Sequence, residues 1–196
     1  MSWHDTPVLT GRWVRLVPLG QHHAAGLLAA AEDPEVFRWN LQPPPTTAAE
    51  ATAYVTRTLA DPDRLTWAQL DLRGPEPVVA GVTSYVHPDP ATRSVEIGAT
   101  WLGRRFWRTP INTEAKFLLL SRAFEDLGAV RVGWRTDEFN ERSQAAIARL
   151  GARREALLRK DRRRKDGSWR TSVLYSMTDD DWPGARRLLA GRMEDR

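Results

Sequence analysis

Residues 95–151 read VEIGATWLGRRFWRTPINTEAKFLLLSRAFEDLGAVRVGWRTDEFNERSQAAIARLG. The stretch opens on a β-rich run, Ser94–Leu102, in which branched and aromatic residues dominate. Apolar residues nearly surround the next segment, Thr113–Leu127, as in a helix packed deep against a sheet. Val130–Thr136 then reads as a short strand, and Glu141–Leu150 as a helix stopped by Gly151. A strand, a buried helix, a strand and a second helix therefore follow one another within one stretch.

Working outward, Arg12–Pro18 alternates apolar and polar residues as a first strand does, and Gln21–Ala31 has helical spacing. Gln42-Pro43-Pro44-Pro45 breaks the chain, after which Thr47 and Glu50 form a capping box for a helix ending near Asp61. Thr66–Leu72 and Val78–Val86, separated by the turn Arg73-Gly74-Pro75, predict an antiparallel pair. Beyond Gly151, Ala152–Leu158 and Thr171–Met177 predict a hairpin with Asp166-Gly167 at its turn, and Trp182–Ala190 a last helix capped from Asp180 or Asp181. The sum is a mixed α+β arrangement without internal repeat, not a regular βαβ series.

The 196 residues suit one domain, with one active site expected. Without cysteine there is no disulfide framework, thiol nucleophile or Cys-type zinc site. His4, His22, His23 and His87 lack metal-site spacing, so no metal is expected. No apolar run approaches the roughly 20 residues of a membrane-spanning helix, and the first residues carry no secretory pattern. A cytoplasmic protein without membrane association is the expectation. The net charge of +4 suits an anionic ligand. Its one local cluster, Arg153–Arg170, could serve nucleic acid, but strand ends and a solvated loop explain it more simply.

The ordered pieces of residues 95–151 resemble the RimJ/RimL-type branch of the GNAT N-acetyltransferases: an E-x-G-x-x-L strand, a phosphate loop, a T-E-A helix, a strand leading to N-x-x-S, and R-L-G-A. The resemblance implies a GNAT-like α+β fold, with a central mixed, mostly antiparallel sheet and helices on both faces. It also implies acetyl-CoA as co-substrate and acetyl transfer to a primary amine, either a protein N-terminus or a small molecule, by direct attack. Residues 10–178 would form the domain, and residues 179–196 a C-terminal helical extension. An amine acceptor is then the second partner, and a homodimer stays open.

A helix N-terminus presents unpaired N–H groups and a positive dipole end, which suits a pyrophosphate. The resemblance accordingly implies cofactor contacts from Arg104, Arg105, Trp107, Arg108, Thr109, Ile111, Asn112 and Thr113. It adds backbone contacts from Ala99, Trp101 and Leu102, whose side chains are expected in the core, and a contact from Asn140. Glu96 is the candidate base for the acceptor ammonium, and Ser143 the candidate partner of the leaving thiolate. Each has a simpler reading: Glu96 as a solvated strand residue, Asn140 as a helix cap with Ser143 in its first turn. Glu114 is assigned to favourable interaction with the helix dipole, not to chemistry. Phe37, Trp39 and Tyr54 could line an acceptor pocket, though aromatic residues at that spacing are more often core. The sequence departs from the usual loop Q/R-x-x-G-x-G/A, because Pro110 and Asn112 replace its two glycines. Proline has no N–H, so arginine is expected to carry more of the anion.

Overall fold

The computed structural model describes residues 2–194. Their strands are β1 (Leu9–Thr10), β2 (Val14–Pro18), β3 (Arg64–Asp71), β4 (Val78–Asp89), β5 (Ser94–Leu102), β6 (Arg131–Asp137), β7 (Arg153–Arg163) and β8 (Trp169–Thr178). They form one sheet in the order β1-β2-β3-β4-β5-β6-β8-β7. Neighbours pair antiparallel except β5 and β6, which are parallel. The parallel pair needs a long crossover, and the helix between the two strands supplies it.

The helices are α1 (Ala24–Ala30), α2 (Ala48–Leu59), α3 (Ile111–Ser121), α4 (Glu141–Ala148) and α5 (Trp182–Glu194). Successive strand residues point to opposite faces, and β5 shows both layers. Trp101 donates its indole N–H to the Tyr54 hydroxyl of α2 at 3.0 Å, whereas Thr100 accepts from Lys116 of α3 at 2.8 Å. On the α3 face Trp67 and Tyr85 meet edge to face, and the Tyr85 hydroxyl donates to the Leu119 carbonyl. The expected α+β sandwich of a mixed sheet between helices is the observed architecture.

Several local readings shift. The buried helix starts at Ile111, and from Arg122 to Asp126 it loosens into a π-helical turn instead of continuing as α-helix to Leu127. Arg122 is buried there and donates to the carbonyls of Ser2 and Asp5, tying residues 2–5 to the end of this helix. Thr47 caps α2 as expected, but Glu50 takes its strongest hydrogen bonds from the N–H and hydroxyl of Thr46. The basic segment is mostly strand: β7 runs on to Arg163, and only residues 164–168 turn. A carboxylate within the extension helps to make it workable, since Asp161 pairs with Arg135 of β6, and Glu155 does the same for Arg131 nearer the start of β7. The Asp181 carboxylate does not cap α5. It accepts from Thr178 and pairs with Arg153, while its carbonyl receives the Ala185 N–H.

Candidate active site

The decisive feature is a place where strand pairing stops. β5 and β6 run in register through Ser94↔Arg131, Val95↔Val132 and Glu96↔Gly133, and no further pair follows between them. Beyond it β5 keeps only its β4 neighbour and β6 only its β8 neighbour, so the two strands splay. Backbone groups of Ile97–Leu102 on the β6 side are left without a ladder partner among the described residues, an edge an extended ligand can complete. The register against β4 also slips between Val82 and Ser84, opposite Ala99, which adopts φ +47°. A bulge of this kind re-aims backbone groups beside a site. Close approach at its far side requires glycine: Gly81 has φ +154°, and a Cβ there would collide with the Trp101 carbonyl.

The phosphate-loop candidates lie where β5 ends. Trp101 is core, packed on Phe37 with ring centroids 4.9 Å apart, and Leu102 is buried as well. The Leu102 carbonyl accepts the Trp107 indole N–H at 2.8 Å, which ties the loop back to the end of β5. Trp107 is half-buried, with the Arg104 guanidinium 4.4 Å and the Arg142 guanidinium 3.3 Å from its ring centroid. Arg105 lies over Phe106. Arg108 is exposed at φ +58°, and Thr109 closes a turn onto the Phe106 carbonyl. Pro110 is the N-cap residue of α3, and the first intrahelical bond runs from Glu114 N–H to its carbonyl. The N–H groups of Ile111, Asn112 and Thr113 thus stand ahead of the helical ladder, the free-donor arrangement an anion needs. Because proline sits one residue before these donors, the loss of its own N–H leaves the helix terminus intact.

Asn112 and Thr113 face a cleft of about 410 Å³ completed by Arg149 and Leu150 after α4, and by Leu189, Arg192 and Met193 of α5. The α4 start lies on the same side: Arg142, in its first turn, stacks on Trp107. Burial lowers the Arg142 pKa, and nearby Arg104 adds to that while Glu35 opposes it. Asn140 is the N-cap, its carboxamide oxygen accepting the Ser143 N–H at 3.1 Å. The Ser143 hydroxyl has no hydrogen-bond partner among the described residues.

Glu96 sits at the last paired position, at the mouth of the splay. Its carboxylate meets Arg135 at 3.2 Å, Arg135 meets Asp161 at 3.2 Å, and Asp161 accepts from the Ser172 hydroxyl at 2.6 Å. Glu96 and Arg135 line a pocket of about 270 Å³ with His87, Asp89, Ser94 and Arg131. Glu96 is therefore neither a free solvated residue nor a deeply buried acid, but a half-buried carboxylate held by one guanidinium. Phe37 and Tyr54 belong to the core, while Trp39 is half-exposed beside Phe139.

Glu114 lies in the first turn of the buried helix as expected, but its partners and the roles of three further residues were not legible in the sequence. Glu114 is buried, and its carboxylate accepts the N–H groups of Arg12, Trp13 and Val14 at 2.7–2.8 Å. Its role is thus to anchor the start of β2, a contact no local pattern announces across about 100 residues. Arg142 and Arg135 carry no motif, and Lys116, which follows Thr113-Glu114-Ala115 in the loop-and-helix reading RTPINTEAK, gains its meaning only from partners on other elements.

A sheet splayed at its one parallel pair, with a helix N-terminus and a second helix start flanking the opening, defines the acetyltransferase class of α+β fold. The model of the acetyltransferase (GNAT) domain matches residues 14–153, and the chain belongs to that family, whose members transfer acetyl from acetyl-CoA. It is similar to an acetyltransferase candidate from T. thermophilus, with 42% identity, TM-score 0.88, and 97% of this chain and 99% of that one covered. It is also similar to a GCN5-related N-acetyltransferase from Brucella melitensis, with 31% identity, TM-score 0.90, and coverage of 95% and 85%. The microcin C7 self-immunity acetyltransferase MccE, crystallised with acetyl-CoA and AMP, shares the fold at 20% identity, TM-score 0.74, and coverage of 86% and 93%. None of the curated proteins matches the chain.

Proposed function

We propose that this protein transfers acetyl from acetyl-CoA to a primary amine, a protein N-terminus or a small molecule, in the manner of the RimJ/RimL-type branch. The observation that carries the reading is the end of β5–β6 pairing at Glu96↔Gly133, which leaves the Ile97–Leu102 edge without a ladder partner, with Trp107 joining the end of that edge to Arg142 at the start of α4. In this reading the pantetheine arm pairs with that edge at Ala99, Trp101 and Leu102. The pyrophosphate rests on the N–H groups of Ile111, Asn112 and Thr113, with Arg104, Arg105, Arg108 and Thr109 around it and Trp107 as its apolar wall. Asn140 steadies the arm from α4.

The acceptor arrives as an ammonium and must lose a proton before it can attack. Glu96 takes that proton through a water, its carboxylate oriented by Arg135 at 3.2 Å. The amine nitrogen then forms a bond to the thioester carbon, and the carbonyl π pair moves onto oxygen, where a β5 N–H at the bulge stabilises it. Collapse of the tetrahedral intermediate expels the thiolate, the Ser143 hydroxyl donates to the departing sulfur, and the second amine proton leaves to water. No covalent enzyme intermediate is needed.

The test is a panel of amines and N-terminal peptides scored for CoA release. Turnover with at least one amine is expected, together with a rise in Tm in millimolar acetyl-CoA, because a ligand of the folded state stabilises it. An acetyl-CoA-dependent Tm rise without turnover would leave a silent acyl-CoA-binding module. No Tm change would remove cofactor binding from the account.

A further inference from the structure

Lys116 lies in the second turn of α3, 5% exposed, and no carboxylate among the described residues pairs with it. Its ammonium donates to the Thr83 hydroxyl of β4 at 2.7 Å and to the Thr100 hydroxyl of β5 at 2.8 Å. These two hydroxyls also bond each other at 2.9 Å, and Thr100 continues to the Gly98 carbonyl at 3.2 Å. All of these groups surround the point where the β4–β5 register slips and Ala99 turns to φ +47°. One side chain from α3 is thereby tethered to both strands at the bulge, and the chain of donors ends on the residue that precedes the turned backbone.

A buried cation with only hydroxyl partners is an expensive way to fill space. A core position of this shape accepts an unbranched apolar residue at no cost in hydrogen bonds, since Thr83 and Thr100 satisfy each other. Burial alone pulls the Lys116 pKa down to about 7. The fold is therefore not the beneficiary of this charge, and the bulge it grips is where the open edge begins.

We propose that Lys116 is a positioning residue for acetyl transfer, holding the β5 bulge through Thr83 and Thr100 so that the N–H groups of the open edge aim at the thioester carbonyl. The proposal rests on the acetyl-transfer reading above. Lys116 touches no reacting atom and acts through the backbone of Gly98–Thr100. Its second effect has the same sign, since a positive charge beneath the bulge favours an oxyanion above it.

The test uses the full chain with Lys116→Met and Thr100→Val, alone and combined, and three readouts. Lys116→Met is expected to keep or raise Tm while kcat falls by at least about tenfold and the Kd for acetyl-CoA moves less than about threefold, because misaimed groups harm the transition state more than binding. Thr100→Val, which breaks the same chain nearer the bulge, lowers kcat as well, and the double variant falls no further than the worse single one. Hydrogen exchange of the ligand-free protein across residues 97–102 speeds up in both variants. Unchanged exchange, or wild-type kcat in Lys116→Met, overturns the proposal, and so does a parallel loss of Tm and kcat that makes the lysine a stability element. A wild-type protein that acetylates no amine would defeat the acetyl-transfer reading instead, and the exchange result would still decide whether Lys116 holds the bulge.

Discussion

Two charged residues two positions apart on α3 serve opposite ends of the sheet. Glu114 reaches the start of β2, where three backbone N–H groups converge on its carboxylate at 2.7–2.8 Å. Lys116 reaches the β4–β5 bulge, where two hydroxyls are all that meets its ammonium among the described residues. Both are 5% exposed. A buried carboxylate with three donors is nearly as well solvated as in water, whereas a buried ammonium with two neutral acceptors is not. The first region is a lock that holds the fold together, and Gly11 belongs to it, because a Cβ there would collide with the Glu114 carboxylate. The second keeps an incompletely satisfied charge beside the open edge.

The largest expected effect lies in the lock. Glu114→Ala strands one buried and two part-buried donors and should cost about 2–4 kcal/mol of stability, as breaking a charged hydrogen-bond network does. Urea denaturation measures it, and a loss below about 1 kcal/mol would erase the contrast with Lys116.

The second prediction concerns pH. The folded Lys116 pKa, about 7, lies below the unfolded value near 10.4. Between these two values the unfolded chain binds the extra proton, so stability rises with pH from about 7 to about 10. Below about 7 the penalty is fully present, and above the unfolded value it has vanished. The rise should be on the order of a few kcal/mol, and Lys116→Met should flatten it. A wild-type urea midpoint that stays level across this window would show the ammonium to be better solvated than its two partners suggest.

Glu96 stands between the extremes, half-buried and held by one guanidinium. Glu96→Gln should lower turnover about 10- to 100-fold with acetyl-CoA affinity nearly intact, the pattern of a lost general base. Ser143→Ala should lower it less, because a thiolate is a good leaving group even without a donor. Wild-type turnover in both variants would return Glu96 to the Arg135–Asp161 network as a structural member.

Arg108 is at the exposed end of the scale. Arg108→Ala should weaken acetyl-CoA binding by about tenfold at low salt and less at high salt, because an exposed phosphate contact is screened. Arg159→Ala, on exposed β7, is the matched control. Equal affinity in the two variants would assign the pyrophosphate to the N–H groups of Ile111, Asn112 and Thr113 alone.

The residue pattern of 95–151 was enough to read the order strand, buried helix, strand, helix, because period-2 and period-3.6 hydrophobicity are local properties. The hairpin after Gly151 was legible from Asp166-Gly167, but its length was not, since what keeps Arg162 and Arg163 in strand is pairing with Arg170 and Trp169. The same limit applies at the site. Pro110 could be seen to lack a donor; that it occupies the cap and leaves three donors beyond it is a matter of where α3 begins.

By itself, the sequence determined the α+β class, the mostly correct element order, the presence of a buried helix after β5, and the Asn140 cap of α4, because each depends on residues within a turn or two of one another. Tertiary structure alone decided that pairing of β5 with β6 ends at Glu96, that Arg135 holds Glu96, that Arg142 and Arg104 flank Trp107, and that Glu114 and Lys116 grip different strands. The physical reason is that a charge is given its role by what desolvates it and what satisfies it, and for these side chains both come from elements far away in the chain.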